Sequence, residues 1–112
     1  MIISNIGACI CVTLGCIALI YPRIIEVFVS IDASSVEGKS EVRATYGGFF
    51  LGISTYALYS QSADAFITIG IGWLGAALAR VITLITGSFS LKNLGGVLFE
   101  VLIGTLCIGS LI

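Results

Sequence analysis

Apolar residues run almost unbroken along this chain, and polar ones gather at a few places. A helix needs ~20 apolar residues to cross the hydrocarbon core of a bilayer, so stretches of that length bounded by charge or by Pro, Gly, Ser and Asn clusters are the units to look for. Four are present. The first, residues 2–21, carries no charged side chain and ends at Pro22-Arg23. The second, 41–59, follows Ser40 and opens with Glu41-Val42-Arg43. The polar turn Ser60-Gln61-Ser62-Ala63-Asp64 leads to the third, 65–85; Thr86-Gly87-Ser88-Phe89-Ser90 breaks the pattern, and the fourth occupies 91–112. Lipid satisfies no backbone donor or acceptor, and four segments are too few to close a barrel. The expected fold is therefore an all-α membrane protein: a four-transmembrane-helix bundle forming one domain over residues 1–112.

Between the first two stretches lies the one sizeable polar insertion. Ile24, Ile25, Phe28, Val29 and Ile31 recur at helical spacing while Arg23, Glu26 and Ser30 fall elsewhere. Pro22 is thus expected to start a short interfacial amphipathic helix, followed by a polar loop over 32–40. The same pattern also fits a first helix that simply projects beyond the membrane. A cleaved signal peptide is not expected, because the first stretch lacks a basic leading region and a small-residue cleavage site.

Composition agrees with a membrane protein. The 112 residues are 58% hydrophobic and 10% charged, where soluble chains carry roughly 25% charged residues; the mean hydropathy is +1.17. With 5 basic and 6 acidic residues, no basic surface is available to hold nucleic acid. Histidine is absent, which removes the commonest neutral-pH base and most metal sites. Arg23, Lys39, Arg43, Arg80 and Lys92 all fall on the side of the loops between stretches one and two and between stretches three and four. By the positive-inside rule those loops are cytoplasmic and both termini face outward.

Two charges fall inside apolar stretches. Arg80 lies near the end of the third and Glu100 well inside the fourth. A charge at a helix centre costs ~2.5–3.5 kcal/mol on insertion scales, so pairing is the economical arrangement. Helical phase agrees: Gly72, Ala76 and Arg80 share one stripe, and Gly96, Glu100 and Gly104 share another, with small residues that admit a neighbouring backbone. Glu41, Thr45, Gly48 and Gly52 form a third stripe. The expected buried network is Glu41, Arg80 and Glu100, with Arg43 and Tyr46 at its cytoplasmic mouth. The alternatives are an Arg80 that snorkels to the interface, a neutral Glu100, and a solvated Glu41 and Arg43.

Other signals carry less. Cys9, Cys11, Cys16 and Cys107 form no C-x-x-C pair and read as small apolar residues, with no metal or cofactor expected. Trp73, Tyr21, Tyr56 and Tyr59 suit an interfacial belt.

The run Glu41-Val42-Arg43-Ala44-Thr45-Tyr46-Gly47-Gly48, with Arg80 late in the third stretch and Glu100 in the fourth, resembles a bacterial family of small four-helix membrane proteins of unknown function. More distantly the chain is similar to DoxX-type proteins. The resemblance implies an inner-membrane location and an important polar cluster, and supplies no activity. Thr83 and Thr86 stand where that family would place a serine and an acid. Leu94 to Val101 also resembles the glutamate-bearing helix of small multidrug-resistance antiporters, although there the glutamate lies in the first helix.

The functional expectation is a non-enzymatic membrane protein that works by helix packing, as a homo-oligomer or as an accessory subunit docked on other membrane subunits. Its partners would be the bilayer and further membrane-protein chains. The alternative is a small-molecule or proton-coupled transporter using Arg80 and Glu100. Acid–base catalysis by Glu41, Tyr46, Arg80 and Glu100 is the weakest of the three.

Overall fold

A computed structural model describes residues 1–87 and 89–112; Ser88, expected in the turn before the fourth stretch, lies outside the described residues. Helices and short connections account for the described chain, with no strand among these residues. In order they are α1 (Ile2–Ile20), α2 (Pro22–Val29), α3 (Val36–Val42), a π-helical stretch (Arg43–Phe49), α4 (Phe50–Ser60), α5 (Ala63–Thr86) and α6 (Leu91–Ile108). Three of them, α1, α5 and α6, are long and apolar enough to cross a membrane.

The second apolar stretch is built differently. Val42, Arg43 and Phe50 all keep right-handed helical dihedrals, so α3, the π-helical stretch and α4 follow one another without a turn. No single α-helical piece of this run reaches crossing length. Its start also departs from expectation: much of the polar loop placed at 32–40 is helix, because Ser35 accepts from the Gly38 backbone N–H at 2.9 Å and caps α3 at Val36. Glu37 in the first turn adds a favourable charge at that helix start. Serine, glycine and lysine in sequence read as loop, and the cap turns them into a helix.

The chain divides into two compact units, Met1–Gly7 with Gln61–Ile112, and Ala8–Ser60. In the first, α5 lies against α6. Their backbones approach closely at Gly70 and Gly104: a Cβ on Gly70 would sit 2.7 Å from the Gly104 carbonyl oxygen and 2.5 Å from Ile108 Cγ1. Trp73 and Phe99 meet edge to face, with centroids 6.1 Å apart, so Trp73 is engaged on α6. The start of α1 packs on the end of α6, where a Cβ on Gly7 would reach within 2.8 Å of the Cys107 backbone nitrogen. Asn5 and Gln61 exchange two side-chain hydrogen bonds, at 3.2 and 2.8 Å.

In the second unit, Ala18, Ile25, Ala33 and Val42 are buried together, with Ile17, Val29 and Tyr46 packed against them. Gly15 of α1 abuts the Gly47 carbonyl and Leu51, and Gly47 abuts Leu19. Pro22 stands at the first turn of α2, where its missing N–H leaves no intrahelical bond unmade. Helix α2 does not present the expected faces. Ile25 and Glu26 are buried, whereas Ile24 and Phe28 are exposed. A sequence pattern gives the phase of a helix but not which face its neighbours cover.

Candidate functional site

On α6, Asn93, Gly96 and Glu100 follow at intervals of three and four residues and share one face. Arg80 of α5 lies across that face. Its Nε donates to Glu100 Oε1 at 2.7 Å, and its Nη1 donates to Asn93 Oδ1 at 2.9 Å. Between the two acceptors is Gly96. A Cβ there would stand 3.0 Å from Arg80 Cζ and Nε, so the missing side chain is what lets the guanidinium settle on the α6 backbone. The ion pair is shielded unevenly, with side-chain exposures of 32% for Arg80 and 10% for Glu100. Charge-assisted bonds of this kind are the strong ones, and the planar guanidinium fixes direction as well as distance. Chemically the arrangement pins one helix to another.

The remaining members of the expected network have other partners. Glu41 accepts from Thr45 Oγ1 at 3.0 Å, one turn away on its own helical run. Arg43 Nε donates to the Leu19 carbonyl oxygen at 3.2 Å, capping the end of α1, where the last carbonyls lack helical partners. Tyr46 packs on the core of the second unit. Among the glycines and alanine expected at helix contacts, Gly96 and Gly104 meet a neighbouring helix. Among the described residues, Gly52 and Gly72 have nothing within 4 Å of a would-be Cβ, and Gly48 meets only its own helix at Arg43. Ala76 is partly buried, one residue before the buried Ala77.

A second polar cluster escaped the sequence reading. Glu26 is fully enclosed within the chain, and its carboxylate is held from three directions. Lys39 Nζ donates to Oε2 in a short contact. The Ala33 backbone N–H donates to Oε1 at 3.1 Å, and Arg23 Nη1 reaches the same oxygen at 3.4 Å. Arg23 also lies 3.7 Å from the exposed Asp32. The Lys39 hydrogen bond holds the Glu26 carboxyl below the usual carboxylate range, against the opposing effect of burial. The segment joining α2 to α3 is thereby stapled to both helices. The available signal was weak: a lone acid in a short apolar helix, with a lysine thirteen positions on.

Asn93 was missed for a different reason. It stands near the start of α6, two turns before Glu100, where an asparagine reads as part of a cap; the capping is done by Ser90, which accepts from the Asn93 N–H. Among the described residues no group of three or more Cys, Asp or Glu side chains is gathered to hold a metal.

No curated relative and no solved structure matches the chain. Residues 1–111 match the family described as a domain of unknown function, DUF4345, and the protein belongs to that family.

Proposed function

We propose that the protein is a non-enzymatic, four-span membrane protein that acts through helix packing, as an accessory subunit or as a homo-oligomer. In this reading Arg80, Asn93 and Glu100 fix the register of α5 on α6. The observation that carries it is the guanidinium seated on Gly96 with an acceptor on either side. Sliding either helix by one turn would strand a charge among apolar side chains. The stretch 41–59, part of the helical run from Val36 to Ser60, supplies the fourth crossing, and its Glu41-to-Gly48 segment is the part akin to the small four-helix family and, distantly, to DoxX-type proteins. A bacterial inner membrane is what the resemblance to the small four-helix family implies, and the basic residues supply the orientation, with the loops between stretches one and two and between stretches three and four cytoplasmic and both termini outside.

Support for a packing role comes from Gly52 and Gly72, whose surroundings are open among the described residues and so admit a helix of another chain. Gentle extraction from native membranes, followed by mass spectrometry of the intact particle, is expected to return a second copy or a distinct membrane subunit. A lone monomer, from native membranes as well as overexpression, would overturn the proposal.

A transporter reading is favoured only by the partial exposure of Arg80. It requires that Glu100→Gln abolish pH-dependent ligand binding while the fold survives.

A further inference from the structure

Helix α2 has two apolar faces. At about 100° per residue, Pro22, Ile25, Glu26 and Val29 fall on one side, and these are its buried or half-buried positions. Ile24, Val27 and Phe28 fall on the opposite side and are 56%, 57% and 53% exposed. Tyr21 before the helix and Ile31 after it extend the exposed apolar surface. A strip of this kind is unusual on a segment that also carries the most enclosed carboxylate of the chain.

Connectivity fixes where the strip lies. Only Tyr21 separates α2 from α1, a 19-residue crossing helix without a charge. The end of α1 exposes Leu19 and Ile20, so the apolar surface of the crossing helix continues onto α2. Helix α2 therefore begins within a residue of the membrane boundary. Of its two charged side chains, Arg23 stays exposed and Glu26 is turned inward, held by Lys39, Arg23 and the Ala33 N–H. That staple sets the roll of the helix and stops Ile24 and Phe28 from turning in.

We infer that α2 is a rigid interfacial anchor whose Tyr21, Ile24, Val27, Phe28 and Ile31 side chains occupy the lipid layer between head groups and acyl chains. An amphipathic helix lying in the interface plane buries its apolar face at about this depth. The occupant is lipid, because the strip continues a lipid-facing surface and sits at the height where lipid is always present. The inference rests on α1 crossing the membrane, and not on the register role of Arg80.

The test places one tryptophan at a time in a Trp73→Phe background, reconstituted in phosphatidylcholine vesicles brominated either near the head group or near the chain end. Phe28→Trp, with Ile24→Trp as a second reporter of the same face, is expected to emit at short wavelength and to be quenched at least twofold more by shallow than by deep bromine. Cys9→Trp, at an exposed position midway along α1, is expected to show the reverse preference. Water-like emission with iodide quenching at residues 24 and 28, or shielding from both iodide and bromine by a protein partner, would overturn the anchor while Cys9→Trp still reports a crossing helix. Absence of bromine quenching at Cys9→Trp would overturn the membrane premise itself.

Discussion

A single missing side chain decides how Arg80 sits. Because a Cβ on Gly96 would fall 3.0 Å from the guanidinium carbon, Gly96→Leu must push Arg80 off the α6 backbone. It is expected to cost about 1–3 kcal/mol, read as a lower midpoint in an SDS unfolding titration of the protein in mixed micelles. The pair itself is tested by a double-mutant cycle. Arg80→Met and Glu100→Gln should each destabilise by about 1–2 kcal/mol, and the double variant by less than their sum, since either single change leaves one polar group without its partner. Additive losses would mean the two groups do not act together. The depth of Arg80 and Glu100 in apolar stretches was legible from spacing alone. Asn93 was not, because nothing in a sequence tells a capping asparagine from one turned along the helix. Glu26 was hidden for the same kind of reason: an acid on a short amphipathic helix reads as its wet side until the covering element is known.

Between helices, the decisive quantity is phase. The chain has 14 glycines; small residues at four-residue spacing pick out Gly72 with Ala76 rather than Gly70, which has Phe66 and Leu74 four residues to either side, and spacing alone leaves open which glycine meets a neighbour. The structure uses Gly70, whose Cβ would collide with the Gly104 carbonyl, and leaves Gly72 open within the chain. Gly70→Val is therefore expected to undock α5 from α6 at a cost of about 3 kcal/mol, whereas Gly72→Ala should be neutral or add up to about 1 kcal/mol; paired unfolding titrations of the two variants check this. The same ambiguity separates Gly47, which meets Leu19, from Gly48, which meets only its own helix. The staple between α2 and α3 carries a pH dependence of known sign. A carboxyl held below its ordinary range stabilises the folded form at pH values above that range, near 4.3 for a free glutamate, and the contribution is lost as pH falls further. Hydrogen exchange in residues 22–39 should accelerate below about pH 4 relative to α5 and α6. Glu26→Gln should remove that pH step and raise exchange in the segment at neutral pH.

For the molecule as a whole, the helical class and the positions of the long apolar helices were legible, since a bilayer-length apolar run with few charges admits few other structures. The boundaries were less so. Ser35 started a helix inside what composition marks as a loop, and the π-helical turn divides a run that hydropathy treats as uniform. Nor does hydropathy reveal that α1 is shared, its first residues grouped with Gln61–Ile112 and the remainder with Ala8–Ser60. That division has a bearing on biogenesis. The contact of Gly7 with Cys107 joins a segment that leaves the ribosome early to one that leaves it late. During synthesis the leading turns of α1 must wait, without their final neighbours, until α6 has been delivered to the membrane.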